Sequence, residues 1–220
     1  MDNMRVIRVT GKGQIKVKPD VTRITMTLNG IKKDYAKTLE FSAEDTEKLK
    51  AILKPFGFES TDVKTLEFDV NSEYESYQDR SNQWKRRFVG YKYEHILKIE
   101  FDSDNERLGK ILYALANASV APELRLSYTV KDPEAAKNLL LSKAVDDAIA
   151  KAGVLSKAAN VTLKEIQSID YSWGTINFEV APMRNLAMSA KECAEESFDM
   201  DIEPDDIEVS DTVTVVWEIA

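Results

Sequence analysis

The sequence predicts an α+β fold: an antiparallel or mixed sheet with helices packed on one side, and one long helix in the C-terminal half. Three observations lead there. Apolar residues alternate over stretches such as Ile24, Met26 and Leu28, the period-2 pattern of a half-buried strand. Elsewhere they recur at helical spacing, as at Leu49, Ile52 and Leu53. The elements also follow one another as ββαββαβαββ, without the strand–helix alternation that builds a doubly wound parallel sheet.

Each element has its own signal. Val6 to Val17 alternates, and Gly11 and Gly13 within it predict a bulge or bend between two halves of one strand. Pro19-Asp20 marks a turn before a cleanly alternating strand over Val21 to Ile31. A helix begins at Asp34 and runs to about Phe56, with Pro55 and Gly57 punctuating its end. Val63 to Tyr77 and Trp84 to Phe101 are strands of one hairpin, joined by the polar stretch 78–83. Asp104 or Ser103 caps a second helix that ends near Asn117, and Leu124 to Val130 is a short strand. Asp132-Pro133-Glu134 combines a cap acceptor, a proline at a position without an amide partner, and an acid at the positive helix end. The long helix that follows runs to Ala159, and Leu141, Val145, Ala148, Ala152, Leu155 and Ala159 form its expected seam. Leu163 to Trp173 and Ile207 to Ile219 are the last strands, and 174–204 carries no periodic pattern.

At 220 residues the chain is long enough for one domain over 1–220, or for two subdomains of about 1–103 and 104–220. With 43% hydrophobic and 31% charged residues it has the balance of a globular protein. A net charge of −8 argues against general affinity for nucleic acid, where Lys and Arg must displace counterions. Cys193 is alone, which removes any intrachain disulfide and any thiolate-rich metal site. A signal peptide places about 7–15 apolar residues behind a basic start, whereas residues 1–9 are polar and then alternate. No run approaches the roughly 20 apolar residues of a transmembrane segment. The expectation is a cytoplasmic protein, or an exported one whose leader has been removed.

The candidate chemistry is sparse. His95 is the one histidine, so a Ser–His–acid hydrolase would have to be built on it, and no nucleophile-elbow pattern accompanies it. Zinc needs several His or Cys ligands and is not expected. The acids Asp199, Asp201, Glu203, Asp205 and Asp206 alternate, but the glycine and closing glutamate of a calcium loop fall on the wrong residues in both registers. Gly11-Lys12-Gly13 lacks the rest of a phosphate loop. The richest constellation is aromatic and basic: Tyr74, Tyr77, Trp84, Lys85, Arg86, Arg87, Phe88, Tyr91 and Tyr93. One reading is an ordinary long hairpin with aromatic cross-strand pairs. The functional reading is a protein contact, since aromatics and Arg are favoured at interfaces.

The layout and several short motifs resemble the SIMPL-domain family. They are Ile7-Arg8-Val9-Thr10-Gly11-Lys12-Gly13 with Val17-Lys18-Pro19-Asp20, then Phe88-Val89-Gly90-Tyr91. The alanine-rich helix from Ala144 to Ala159, Ile202-Glu203-Pro204, and Val213-Thr214-Val215 with Glu218-Ile219 complete the set. The resemblance implies an α+β fold, no cofactor and a tendency to self-assemble. Its members include exported envelope proteins linked to stress tolerance and an animal protein that binds a kinase. The resulting expectation is a non-enzymatic interaction or self-assembly protein, stress-related in role. It would act as a homo-oligomer or with a protein partner through Tyr74, Tyr77, Trp84, Arg86, Phe88 and Tyr91. A hydrolase using His95, or a protein binding a small ligand between sheet and helices, is the alternative.

Overall fold

A computed structural model of the chain describes residues 5–171, 176–181 and 202–220. Its elements are β1 (Val6–Val17), β2 (Val21–Lys32), α1 (Tyr35–Leu53, continued by a 3-10 turn Lys54–Phe56), β3 (Lys64–Gln78) and β4 (Trp84–Asp102). Then come α2 (Asn105–Ala116), β5 (Glu123–Thr129), α3 (Pro133–Ala159), β6 (Leu163–Tyr171), the short β7 (Glu179–Val180) and β8 (Ile207–Ile219). The fold is α+β, and the expected antiparallel sheet is present as two sheets. The predicted caps Asp104 and Asp132 accept from the amides of Arg107 and Ala135, and Asp34, expected as the first helical residue, instead caps α1 by accepting from the amide of Lys37. Each satisfies a helix-end donor that has no partner within the helix.

The chain divides into two compact units. One unit holds residues up to Asp20, Thr129–Val180 and Asp205–Ala220. Its sheet has the order β1-β8-β6, with α3 packed on β1 and β8. The bulge offered as one reading of Gly11 and Gly13 does not occur. β1 pairs with β8 without a register shift from Val6↔Glu218 to Val17↔Ile207. The glycines serve the helix instead. A Cβ on Gly11 would lie 2.0 Å from the carbonyl oxygen of Ala144 and 2.4 Å from the amide nitrogen of Ala148. On Gly13 it would lie 2.1 Å from the carbonyl oxygen of Leu140. The backbone of β1 therefore touches the backbone of α3, a contact only glycine permits.

That contact also moves the helix seam. The buried row of α3 is Ala136, Leu140, Ala144, Ala148, Ala152 and Ser156, while Leu155 is exposed and Leu141 and Val145 only flank the core. Ala144 and Ala148 in this row let the axis approach Gly11. Two further details belong to this sheet. The amide of Lys12 on β1 donates to Asp147 Oδ2 of α3 at 2.7 Å, and β6 carries two register shifts against β8, between Leu163 and Ser168.

The other unit, Val21–Tyr128 with Ala181–Pro204, has β3, β4, β2 and β5 as successive neighbours. Residues of even number on β2, and of odd number on β4, face α1. Hence Ile24, Met26 and Leu28 meet Leu97 and Ile99 under Leu49 and Leu53 of α1, all buried. Tyr93 is fully buried in this layer, and its hydroxyl donates to Asp45 Oδ2 of α1 at 2.8 Å.

Candidate interaction surface on the long hairpin

β2 ends at Lys32, opposite Tyr91. Beyond that point β4 keeps β3 as its neighbour and the hairpin continues as a two-stranded arm with a turn at 79–83. Asp79 organises the turn. Its Oδ1 accepts from the amides of Ser81 at 2.8 Å and Gln83 at 3.0 Å, and its other oxygen meets Lys85 Nζ at 2.7 Å. The Lys85 ammonium first, and the two amides after it, hold the Asp79 carboxyl below its ordinary range. At the root of the arm the register shifts between Glu73 and Tyr74, so Val89 is left without an opposite residue. Gly90 is required there, because a Cβ would lie 2.4 Å from the carbonyl oxygen of Lys32.

The shift aligns the predicted contact residues into a row. Tyr74 lies opposite Phe88, with ring centroids 5.6 Å apart. Phe88 meets Tyr91 edge-on at 5.3 Å, and Tyr91 meets Tyr35, the first residue of α1, at 5.3 Å. Arg86 lies over the Tyr74 ring at 4.9 Å, and Trp84, at the tip, is 71% exposed. Tyr77 belongs to the opposite face, beneath Arg87, which also pairs with Glu75. The structure thus gathers Tyr74, Trp84, Arg86, Phe88 and Tyr91 on one face and separates Tyr77 from them. Edge-to-face rings with cations above them are rigid and amphipathic, the surface that protein contacts favour. Tyr35 was not recognisable in the sequence, since its place in the row depends on where α1 starts relative to β4.

His95 has another setting. Its Nδ1 lies 3.1 Å from Thr46 Oγ1 of α1, and its Nε2 lies 2.9 Å from Thr65 Oγ1 of β3. The Thr46 hydroxyl donates to the Ser42 carbonyl, so Nδ1–H donates to Thr46 and Nε2 accepts from Thr65. The position that a catalytic triad gives to a carboxylate is occupied by a threonine. The ring also packs edge-on against Phe68 at 5.0 Å, and it ties the edge strand β3 to α1. Burial first, and Lys50 second, lower its pKa. The native state therefore binds fewer protons than the unfolded chain below about pH 6.5, and stability falls as acid titrates the ring. We expect His95→Gln to flatten the urea midpoint against pH between about pH 5 and 7; an unchanged slope would assign the titration to another group.

Other candidates gather less. Among the described residues no cluster of His, Cys, Asp and Glu is arranged to hold a metal ion. Cys193, Asp199 and Asp201 lie outside the described residues. An open cleft of about 440 Å³ beside α2 is lined by Phe58, Lys64, Lys98, Glu100, Phe101 and Arg107, with Arg107 over both aromatic rings. No helix among the described residues is long and apolar enough to cross a membrane.

Comparison with known proteins settles the lineage. The family model described as SIMPL, protein of unknown function (DUF541), matches residues 7–217. The chain belongs to the SIMPL family. It is similar to the 26 kDa periplasmic immunogenic protein of Brucella abortus (strain S19), with 27% identity over 163 residues, 74% of this chain and 65% of the relative. The protein of the same name from Brucella melitensis biotype 1 is 26% identical over the same shares. The matched stretch thus spans less than two thirds of these curated relatives. Their names place them in the periplasm, which accords with the exported alternative and gives no support to the cytoplasmic one.

Proposed function

We propose that this SIMPL-family chain is a non-enzymatic interaction or self-assembly protein that works through the β3–β4 arm. The observation that carries the reading is the row of Tyr74, Phe88 and Tyr91, the first two exposed, with Arg86 and Trp84 beside it where the two strands run beyond the end of β2. Scattered exposed apolar residues are ordinary, whereas an ordered aromatic row on a projecting arm is a surface prepared for a partner. A homo-oligomer is the simplest partner, over a single domain of 1–220. The periplasmic relatives support an exported setting, and a stress-related role rests on the family resemblance alone. The threonine in the carboxylate position at His95 favours this reading over a hydrolase. Replacing Trp84, Arg86 and Phe88 together with serine should lower the mass measured by light scattering; an unchanged mass would remove the arm from assembly.

A further inference from the structure

The cleft beside α2 holds a charge arrangement that the chain's own packing does not complete. β3 begins at Lys64, directly opposite Lys98, so β4 runs on from Ile99 to Asp102 without a strand on that side. The notch so formed is the cleft of about 440 Å³, a size within the range of small-molecule sites. Arg107 of α2 enters it. Its guanidinium carbon lies 4.8 Å from the centre of the Phe58 ring and 5.0 Å from that of Phe101. One N–H donates to the Phe56 carbonyl at 2.7 Å. These contacts pin the end of the 3-10 turn to α2, yet they use only one of the guanidinium's N–H donors. No carboxylate among the described residues pairs with Arg107.

Lys64 is in the same situation. Like charges directly opposite in a sheet are unfavourable, and Lys64 lies opposite Lys98. Glu100 answers only part of this. Its Oε1 meets Lys98 at 2.9 Å and Arg23 at 2.6 Å, so one carboxylate serves two cations. Lys64 has no acidic partner among the described residues. Asp62 and Asp102 also border the cleft. Asp62 is turned to the amide of Glu59, 2.8 Å from its Oδ2, and neither acid pairs with Arg107 or Lys64.

We infer that this cleft binds a small ligand through one oxyanion, a carboxylate or a phosphate group, held by Arg107 with Lys64 beside it. A guanidinium braced by two rings keeps its fork in place, so little side-chain freedom is lost when an oxyanion takes its remaining donors. The acids limit what else fits. An extended polyanion such as nucleic acid would meet Asp62, Glu100 and Asp102 together. A small ligand sets one anionic group on Arg107 and turns hydroxyl or amino donors towards the acids. The inference does not depend on the arm, which lies at the other end of the hairpin.

The test is a titration of the isotopically labelled full chain, followed by nuclear magnetic resonance. Sodium acetate and inorganic phosphate are added separately, each against sodium chloride at equal ionic strength. Saturable shifts at the Arg107 Nε–H and at the amides of Gly57 and Phe58 are expected with acetate, phosphate or both, and the tighter of the two identifies the anionic group. Arg107→Lys keeps the charge and loses the fork, and should weaken binding about tenfold or more. Lys64→Gln changes an exposed strand end without touching the packing of Arg107, and should weaken it about two- to fivefold. Shifts that are absent, or that chloride reproduces, would overturn the inference. An affinity left unchanged by either substitution overturns it as well, and the Lys64→Gln result stands even where Arg107→Lys does not fold.

Discussion

Gly11→Ala should lower the stability of the chain by about 3 kcal/mol or more, at or above the usual cost of overpacking a core. At about 2–4 °C per kcal/mol for a chain of this size, the melting midpoint should drop by about 6–12 °C. The new methyl group would lie 2.0 Å from a carbonyl oxygen and 2.4 Å from an amide nitrogen of α3. Both are backbone atoms, so no side-chain rotation relieves the clash and the helix must move off the strand. Moving it opens the layer formed by Val9, Ala144, Ala148, Ala152, Val213, Val215 and Trp217. Gly153→Ala supplies the control on the same helix. Nothing lies within 4 Å of its added Cβ, and the substitution should stabilise by about 0.5–1 kcal/mol through helix propensity. Calorimetry on the two variants should therefore give shifts of opposite sign. A Gly11→Ala midpoint equal to that of the wild type would show that α3 does not rest on β1.

The second large effect is expected at Tyr93, whose hydroxyl donates to the nearly buried Asp45. Tyr93→Phe keeps the ring against Phe41 and removes the donor, leaving one carboxylate oxygen in the interior without it. Lys48 still holds the other oxygen at 3.0 Å. The loss should be about 1–3 kcal/mol, the cost of leaving a buried acceptor unsatisfied. Changing Asp45 to leucine in the same chain should cost less than the two single losses added, because the pair shares one interaction. Strict additivity in denaturant titrations would mean that the hydroxyl and the carboxylate do not meet. There is also an alkaline signature. Burial, and then the bond to Asp45, raise the Tyr93 pKa. The native state keeps a proton that the unfolded chain loses, so this contribution is complete below about pH 10 and declines above it. Tyr93→Phe should make unfolding less sensitive to alkali.

The sequence showed the elements well and their arrangement less well. Local signals decide whether a helix starts at Asp132, because proline and the cap act on adjacent amides. They do not reveal which face of α3 is buried. Residues 141 to 159 offer a plausible alternating seam, and the real one is selected by the glycines of β1, more than a hundred residues earlier. In the same way Leu163, Ile166 and Ile169 repeat every third residue. They share a face because two register shifts absorb the extra residues. The arm was legible because its aromatics alternate with basic residues along one strand. Its coherence was not, since the row through Tyr35 needs both the shift at Val89 and the start of α1. His95 likewise gave no hint of Thr46 and Thr65, which reach it from a helix and a neighbouring strand.

The bond between Asp147 and the Lys12 amide has a consequence for how the chain behaves in company. A bordering strand offers a line of free amides and carbonyls on which a foreign strand can grow, the usual seed of aggregation. On β1 that line is interrupted by a carboxylate from α3, kept ionised first by Lys151 and then by the amide itself. Lys151 also reaches the Thr10 carbonyl at 3.4 Å. On the opposite border, β6 loses its regular template at each of its two bulges. On both borders the regular template of the three-stranded sheet is thus broken, by the carboxylate at Lys12 on β1 and by the bulges of β6.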